Sequence, residues 1–270
     1  MRVLTVPRAE LDPEAALDRL LSLGPVDITE GIGGLRVLFA ESPSLDDEVA
    51  RALGRSPGRL HWSAPVLRDG GTTALLEVRP QRVAGLWLAP VVDGASPPAP
   101  TPDGLLLRDS PVFGSGAHPT TVLCLEALAE LPPAPRVIDV GTGNGVLALA
   151  ALRLGAGVAL GVDTDPLAVQ EARANATLNA LADRFTATLS GPDAGLGRAP
   201  LVLANVLAAP LQVLAPAIAG LVASDGDLLL SGIPEGVAEE VTRAYLHVGM
   251  RRGPVRSRGG WTCLHLRAGW

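Results

Sequence analysis

The chain has 270 residues, a net charge of −6, and 47% hydrophobic against 19% charged residues. That is too apolar for a disordered chain, too acidic for a general nucleic-acid binder, and long enough for one or two domains at ~100–200 residues each. No apolar run reaches the ~18 uninterrupted residues of a membrane span. Pro7, Arg8, Glu10 and Asp12 break any N-terminal signal core, so a cytoplasmic protein is expected.

All 22 basic residues are arginine, which matches the general excess of alanine, glycine, proline and leucine and reads as compositional bias. Cys124 and Cys263 are the only cysteines. They are expected to be buried thiols rather than a disulfide framework. No set of residues with metal-ligand spacing stands out, and no metal is expected.

Residues 2–7 alternate as a strand does. Asp12-Pro13-Glu14 supplies an N-cap, a proline at the first helical position and an acidic first turn. Leu17, Leu20 and Leu21 follow at helical spacing, and Gly24 stops the helix. Residues 26–29 and 35–40 read as strands, 46–53 as a second helix and 60–66 as a fourth strand. The order β-α-β-β-α-β is the ferredoxin-like arrangement. Residues 75–78 and 86–90 read as short β segments leading into DGASPPAPTPD at 93–103. Four prolines there exclude a helix or a central strand. A linker is expected at 93–103, between an N-terminal α+β domain over 1–92 and a second domain over 104–270.

The second domain reads as a helix over 122–130, then strands at 136–140, 158–162, 185–189, 201–204 and 227–230. Further helices fall at 145–155, 166–180, 208–222 and 235–247. Strands alternating with helices predict an α/β fold with a mostly parallel sheet covered on both faces. Residues 250–256 and 261–266 have no helix between them, only Gly259-Gly260. They predict a terminal antiparallel hairpin.

In such a sheet, ligands bind beyond the carboxyl ends of the strands. Residues 137–145, VIDVGTGNG, run from a buried strand through Asp139 into Gly141, Gly143 and Gly145 and then a helix. Glycines there let a ligand approach the backbone. The spacing G-x-G-x-G differs from the dinucleotide fingerprint G-x-G-x-x-G, and alone it is equally a tight turn. The next strand ends in Asp163, 22 residues beyond Gly141, where a carboxylate can accept from both hydroxyls of a ribose. Asp165 precedes Pro166 and reads as the helix cap, which leaves Asp163 for the ligand. Asp139 is costly at a central strand end unless it is paired. It favours a cationic ligand such as S-adenosylmethionine over a pyrophosphate. Its plainer role, bonding to the amides of the turn, is compatible with that.

Two further segments complete the set. FGSGAHPTT at 113–121 is a glycine-rich loop opening a helix, with Thr120 or Thr121 as the expected cap. LVLAN at 201–205 is a buried strand ending in Asn205, followed by VLAAPL. Asn at a strand end is often only a turn former, but here it falls beside the strand of Asp139.

With these segments the chain resembles the PrmA family, the methyltransferases of large-subunit ribosomal protein L11. The resemblance covers about 104–268 in FGSGAHPTT, VIDVGTGNGVLALAALRLGA, GVDTDPLAVQEARANATLN, LANVLAAPLQVLAP and LLLSGI. It implies a class I methyltransferase domain with a Rossmann-like sheet and S-adenosylmethionine as cofactor. Thr121, Gly141, Asp163 and Asn205 match the family's cofactor-contacting positions, and Asp139 and Gly143 complete the expected site. The resemblance also implies an N-terminal substrate-recognition domain with a ferredoxin-like fold. Departures are Ser115 and Ala117 in the first loop, Pro200 before the Asn205 strand, and a shortened tryptophan-rich stretch between the domains. The N-terminal half matches weakly.

The implied reaction is methyl transfer to amino groups of a ribosomal protein, lysine side chains or the N-terminal amine. Asn205 would orient the nucleophile or the cofactor, and His118 is the candidate general base, though a histidine in such a loop is more often structural. One rival is a methyltransferase of RNA or a small molecule, supported by Arg251, Arg252, Arg256 and Arg258. Another is a non-enzymatic ribosome-associated protein that keeps the fold. Neither a membrane nor a nucleic acid is the expected partner.

Overall fold

The computed structural model describes residues 2–7, 16, 19–25, 27–31, 34–63, 67–68, 72–73, 80–91, 101–108, 116 and 118–270. The chain divides into two compact units, Met1–Glu77 and Val78–Trp270.

In the first unit, β1 (Arg2–Pro7), β2 (Asp27–Gly31), β3 (Gly34–Phe39) and β4 (His61–Ser63) form one sheet in the order β2-β3-β1-β4. Every neighbouring pair is antiparallel. This is the strand order of the expected ferredoxin-like arrangement. Leu4 and Val6, two residues apart on β1, point to one face with Leu35, Val37 and Phe39. Leu45, Val49 and Leu53 repeat at helical spacing along helix Leu45–Leu53 and meet that face with Ala16 and Leu20. The expected helix start at Asp12-Pro13-Glu14 lies outside the described residues. β5 (Leu67–Arg68) and β6 (Thr72–Thr73) form a separate short pair.

The second unit opens with β7 (Gln81–Val83), β8 (Leu86–Val91) and β9 (Gly104–Arg108). β7 and β8 make a hairpin whose two turn residues, Ala84 and Gly85, both have positive φ, the geometry that suits two-residue hairpin turns. β8 and β9 pair in parallel. The proline-rich residues 93–103 therefore join two strands of one small sheet, and the boundary between the units falls earlier, at 77/78. β9 was not predicted, although Leu105, Leu106 and Leu107 are all buried. A run of three leucines carries no period that separates strand from helix.

The main sheet contains β10 (Arg136–Val140), β11 (Val158–Asp163), β12 (Phe185–Leu189), β13 (Ala199–Asn205), β14 (Val222–Pro234), β15 (Met250–Arg258) and β16 (Trp261–Ala268). Their order is β12-β11-β10-β13-β14-β16-β15. The first five are parallel and β16 lies antiparallel between β14 and β15, the expected terminal hairpin. Ile138, Val202, Leu228 and Leu230 sit at the centre of the core. The helix predicted over 208–222 is two, Ala208–Val213 and Ala215–Gly220. Pro216 has no N–H and its ring crowds the carbonyl four residues back, so one helix cannot run through it. β14 then starts at Val222 and runs well past the predicted 227–230. The strand order reverses between β10 and β13, and such a switch point opens a crevice beyond the carboxyl ends.

Candidate active site

β10 leaves the core at Val140 and turns through Gly141, Gly143 and Gly145. Gly141 has a φ of +68°, and a Cβ there would overlap Cγ1 of Val206, the residue after Asn205. Glycine takes that left-handed backbone without strain and leaves the place beside it to the Val206 side chain. The amides of Gly141 and Thr142 both donate to the Val162 carbonyl, at 2.8 and 3.0 Å, which ties the turn to β11.

Asp139 is 1% exposed. The Thr142 hydroxyl donates to its Oδ2 at 2.8 Å, while its Oδ1 is buried without a hydrogen bond to any described residue. Burial pushes its carboxyl up to about 7. The Thr142 hydroxyl and the Ala148 backbone amide act in the opposite direction, and the Asp163 charge adds to the rise.

Asp163 ends β11 half-buried. Its Oδ2 accepts from the Gly143 amide at 2.9 Å and its Oδ1 from the Asp165 amide at 3.0 Å. Each carboxylate oxygen keeps further acceptor capacity. Asp165 caps helix Pro166–Leu178, accepting from the Leu167 amide at 2.8 Å, with Pro166 in the first turn as the sequence predicts.

Asn205 ends β13. The parallel register sets Ala204 beside Val140, so Asn205 lies next to the glycine turn. Its Nδ2 donates to Oγ1 of the fully buried Thr121 at 3.5 Å, and its Oδ1 is buried with no described partner. Thr121 belongs to helix Pro119–Ala129. The cap of that helix is His118, not Thr120 or Thr121, because Pro119 takes the first turn. Nδ1 of His118 accepts from the Thr120 amide at 3.3 Å and lies 2.8 Å from the Thr120 hydroxyl. The ring packs edge-on against Trp261. Residues 113–115 and 117 of the preceding loop, Ser115 and Ala117 among them, lie outside the described residues.

Thr142 and Asn175 were not singled out from the sequence. Asn175, on helix Pro166–Leu178, donates from Nδ2 to the Asn144 carbonyl in the glycine turn at 2.9 Å. Two asparagines four residues apart, Asn175 and Asn179, on the helix face that also carries Glu171, were the available signal. The thiols of Cys124 and Cys263 meet in the core below the site. The hydrogen bond to Cys263 and burial push the Cys124 thiol well up, which disfavours its thiolate.

The hairpin arginines are engaged. Arg252 pairs with both oxygens of Glu239, Arg256 with Glu130 and Arg258 with Glu126, while Arg251 donates to the Gly269 carbonyl. Among the described residues no His, Cys, Asp and Glu cluster could hold a metal ion, and no helix is long and apolar enough to cross a membrane.

The chain matches the ribosomal protein L11 methyltransferase family, PrmA, over residues 71–269. It is 40% identical to the ribosomal protein L11 methyltransferase of Bordetella parapertussis over 241 residues, 84% of this chain and 76% of that protein. It is 32% identical to that of Ralstonia nicotianae, over 94% of each chain. The crystal structure of the ribosomal protein L11 methylase from Lactobacillus delbrueckii subsp. bulgaricus superposes with a TM-score of 0.58 at 29% identity. The match covers 67% of this chain and 95% of that one. With the sheet order, the glycine turn and these relatives together, the chain belongs to the ribosomal protein L11 methyltransferase family.

Proposed function

We propose that this methyltransferase uses S-adenosylmethionine to methylate amino groups of a large-subunit ribosomal protein, L11. The observation that carries the cofactor is the pair of buried acceptor oxygens without described partners, Asp139 Oδ1 and Asn205 Oδ1, on strands adjacent at the switch point. Buried acceptors of this kind are expensive unless something donates to them. An α-ammonium group supplies donors and a positive charge, whereas a pyrophosphate would be repelled by Asp139. Asp163 has lone pairs left for the two ribose hydroxyls, and the glycine turn carries no side chain at Gly141 or Gly143. The residues present therefore fit the cofactor.

When bound, S-adenosylmethionine supplies an already activated methyl group on its sulfonium. The protein's own task is then to bind, orient and exclude water. Thr121 and Asn205 fix the acceptor side of the pocket, where the Asn205 amide orients the incoming nitrogen. That nitrogen must be neutral to attack, and a desolvated pocket lowers the pKa of an amine. His118 is already bonded to Thr120 through Nδ1, so in this reading it positions the start of the Thr121 helix. The Met1–Glu77 unit contains none of these residues, and its part is to recognise the protein acceptor. The partnered state of the hairpin arginines removes the observation that favoured an RNA substrate.

Calorimetry tests the cofactor. S-adenosylmethionine and its demethylated product are expected to bind with roughly micromolar affinity, on the order of −8 kcal/mol. Binding of neither, or of NAD instead, would reject the reading. Tritiated methyl transfer into extract of a strain lacking the enzyme tests the acceptor, with label expected on L11.

A further inference from the structure

Helix Pro166–Leu178 turns three polar side chains, Glu171, Asn175 and the C-cap Asn179, toward β9 at four-residue intervals. All three are buried, and Asn175 and Asn179 completely so. Asn179 behaves as a piece of strand. Its Oδ1 accepts from the Leu106 amide at 2.8 Å, and its Nδ2 donates to the Leu106 carbonyl at 2.7 Å and to the Asn175 carbonyl at 2.8 Å.

Asn175 makes a different connection. Its Oδ1 accepts from the Arg108 amide at 2.9 Å, and its Nδ2 donates to the Asn144 carbonyl at 2.9 Å. Arg108 is the last residue of β9, from which the chain runs on to Thr121. Asn144 lies between Gly143 and Gly145, and its own Oδ1 accepts from the Val146 amide at 3.2 Å. One primary amide thus bridges the end of β9 and the glycine turn. An amide presents a donor and an acceptor in one plane. A carboxylate would keep the acceptor and lose the donor, and an apolar side chain would lose both.

We propose that Asn175 is a positioning residue of the methyl-donor pocket, holding the glycine turn in register with the end of β9. The proposal rests on the S-adenosylmethionine reading above. Asn179 is its internal control. Both asparagines are fully buried on one helix, and both bind the backbone of β9. Truncating either removes the side-chain acceptor of a β9 amide and the side-chain donor to a backbone carbonyl. Only Asn175 touches the glycine turn.

The test compares Asn175→Ala and Asn179→Ala in the full chain, reading melting temperature and the affinity for S-adenosylhomocysteine by calorimetry. Both variants should melt lower than the parent. Asn175→Ala should weaken the ligand roughly tenfold or more, because small displacements in a preorganised site are costly. Asn179→Ala should stay within about threefold, as expected of a site with no shared partner in the turn. If Asn175→Ala does not fold, Asn175→Asp replaces it, since it loses only the donor toward Asn144. Equal losses of affinity in the two positions, or an unchanged affinity at position 175, would overturn the proposal. A parent chain that binds neither S-adenosylmethionine nor S-adenosylhomocysteine would instead overturn the reading beneath it.

Discussion

The carboxyl edge of the parallel sheet and the C-terminal hairpin both gather polar side chains, and they differ in what those side chains meet. At the edge, Asp139 is buried and Asn205 half-buried, and each has one buried oxygen unpartnered among the described residues. On the hairpin, Arg252, Arg256 and Arg258 each face a glutamate near solvent. A desolvated acceptor without a donor costs free energy, and a fold that carries two of them at one crevice points to a ligand that supplies the donors. A solvated ion pair contributes little and attracts little else. In the sequence both regions look like candidate sites, and partnering separates them.

The largest effect should come from Asp163→Ala. It removes two charge-assisted hydrogen bonds to ribose, each worth ~1.5–3 kcal/mol, and it also frees the Gly143 and Asp165 amides. Calorimetry should find cofactor affinity lower by at least about a hundredfold, with the circular dichroism of the fold kept. Retained affinity would place the ribose elsewhere. Asp139→Asn should weaken the cofactor less, since the shape and one acceptor remain, and it should raise the melting temperature of the ligand-free protein at pH 8. The sign follows from the raised carboxyl. Asp139 binds its proton more tightly folded, at about 7, than unfolded, near 3.8. Its contribution to stability is therefore present below pH ~4 and is lost as the pH rises toward and through 7. A variant that melts lower at pH 8 would mean the charge is stabilised beyond what the Thr142 hydroxyl and the Ala148 amide explain.

Asp165→Ala should cost about 1 kcal/mol of stability through the lost cap and leave cofactor affinity unchanged. Thermal melts and calorimetry together check both halves. The smallest effects belong to the hairpin. Arg256→Gln and Arg258→Gln should each change stability by less than roughly 1 kcal/mol and should not alter cofactor binding. A marked loss of binding would erase the contrast between the two regions.

Much of the geometry of the candidate site was legible because strand ends and glycine turns leave local marks. Asp139, Gly141, Asp163 and Asn205 each stand at the end of an apolar run, and parallel pairing then brings those ends together. Asp165 and Pro166 announce a cap by adjacency alone. The terminal hairpin and the ferredoxin-like strand order were legible for the same reason. What the sequence hid depends on contacts distant in the chain. β9 is recognisable as a strand only through its pairing with β8 and the side chains of Asn175 and Asn179. The first unit ends at Glu77, before the prolines, because 86–91 and 104–108 pair across them, and no composition shift marks that. The cap at His118 went unread because serine, threonine and aspartate are the usual caps. Pro216 was a visible signal for the break that the expected 208–222 helix passed over.

The central claim is that Asp139, charged and short of a donor, receives the cation of the methyl donor. The direct measurement is S-adenosylmethionine affinity by calorimetry from pH 5.5 to 7.5, for the parent chain and for Asp139→Asn. An α-amino group titrates near ~7.7–8.0 and stays mostly protonated over that range. Affinity of the parent should fall as the pH drops below about 7, approaching tenfold per pH unit, as Asp139 takes up its proton. The Asn variant should bind weakly with no such slope. A parent profile as flat as that of Asp139→Asn, at equal affinity, would contradict the claim.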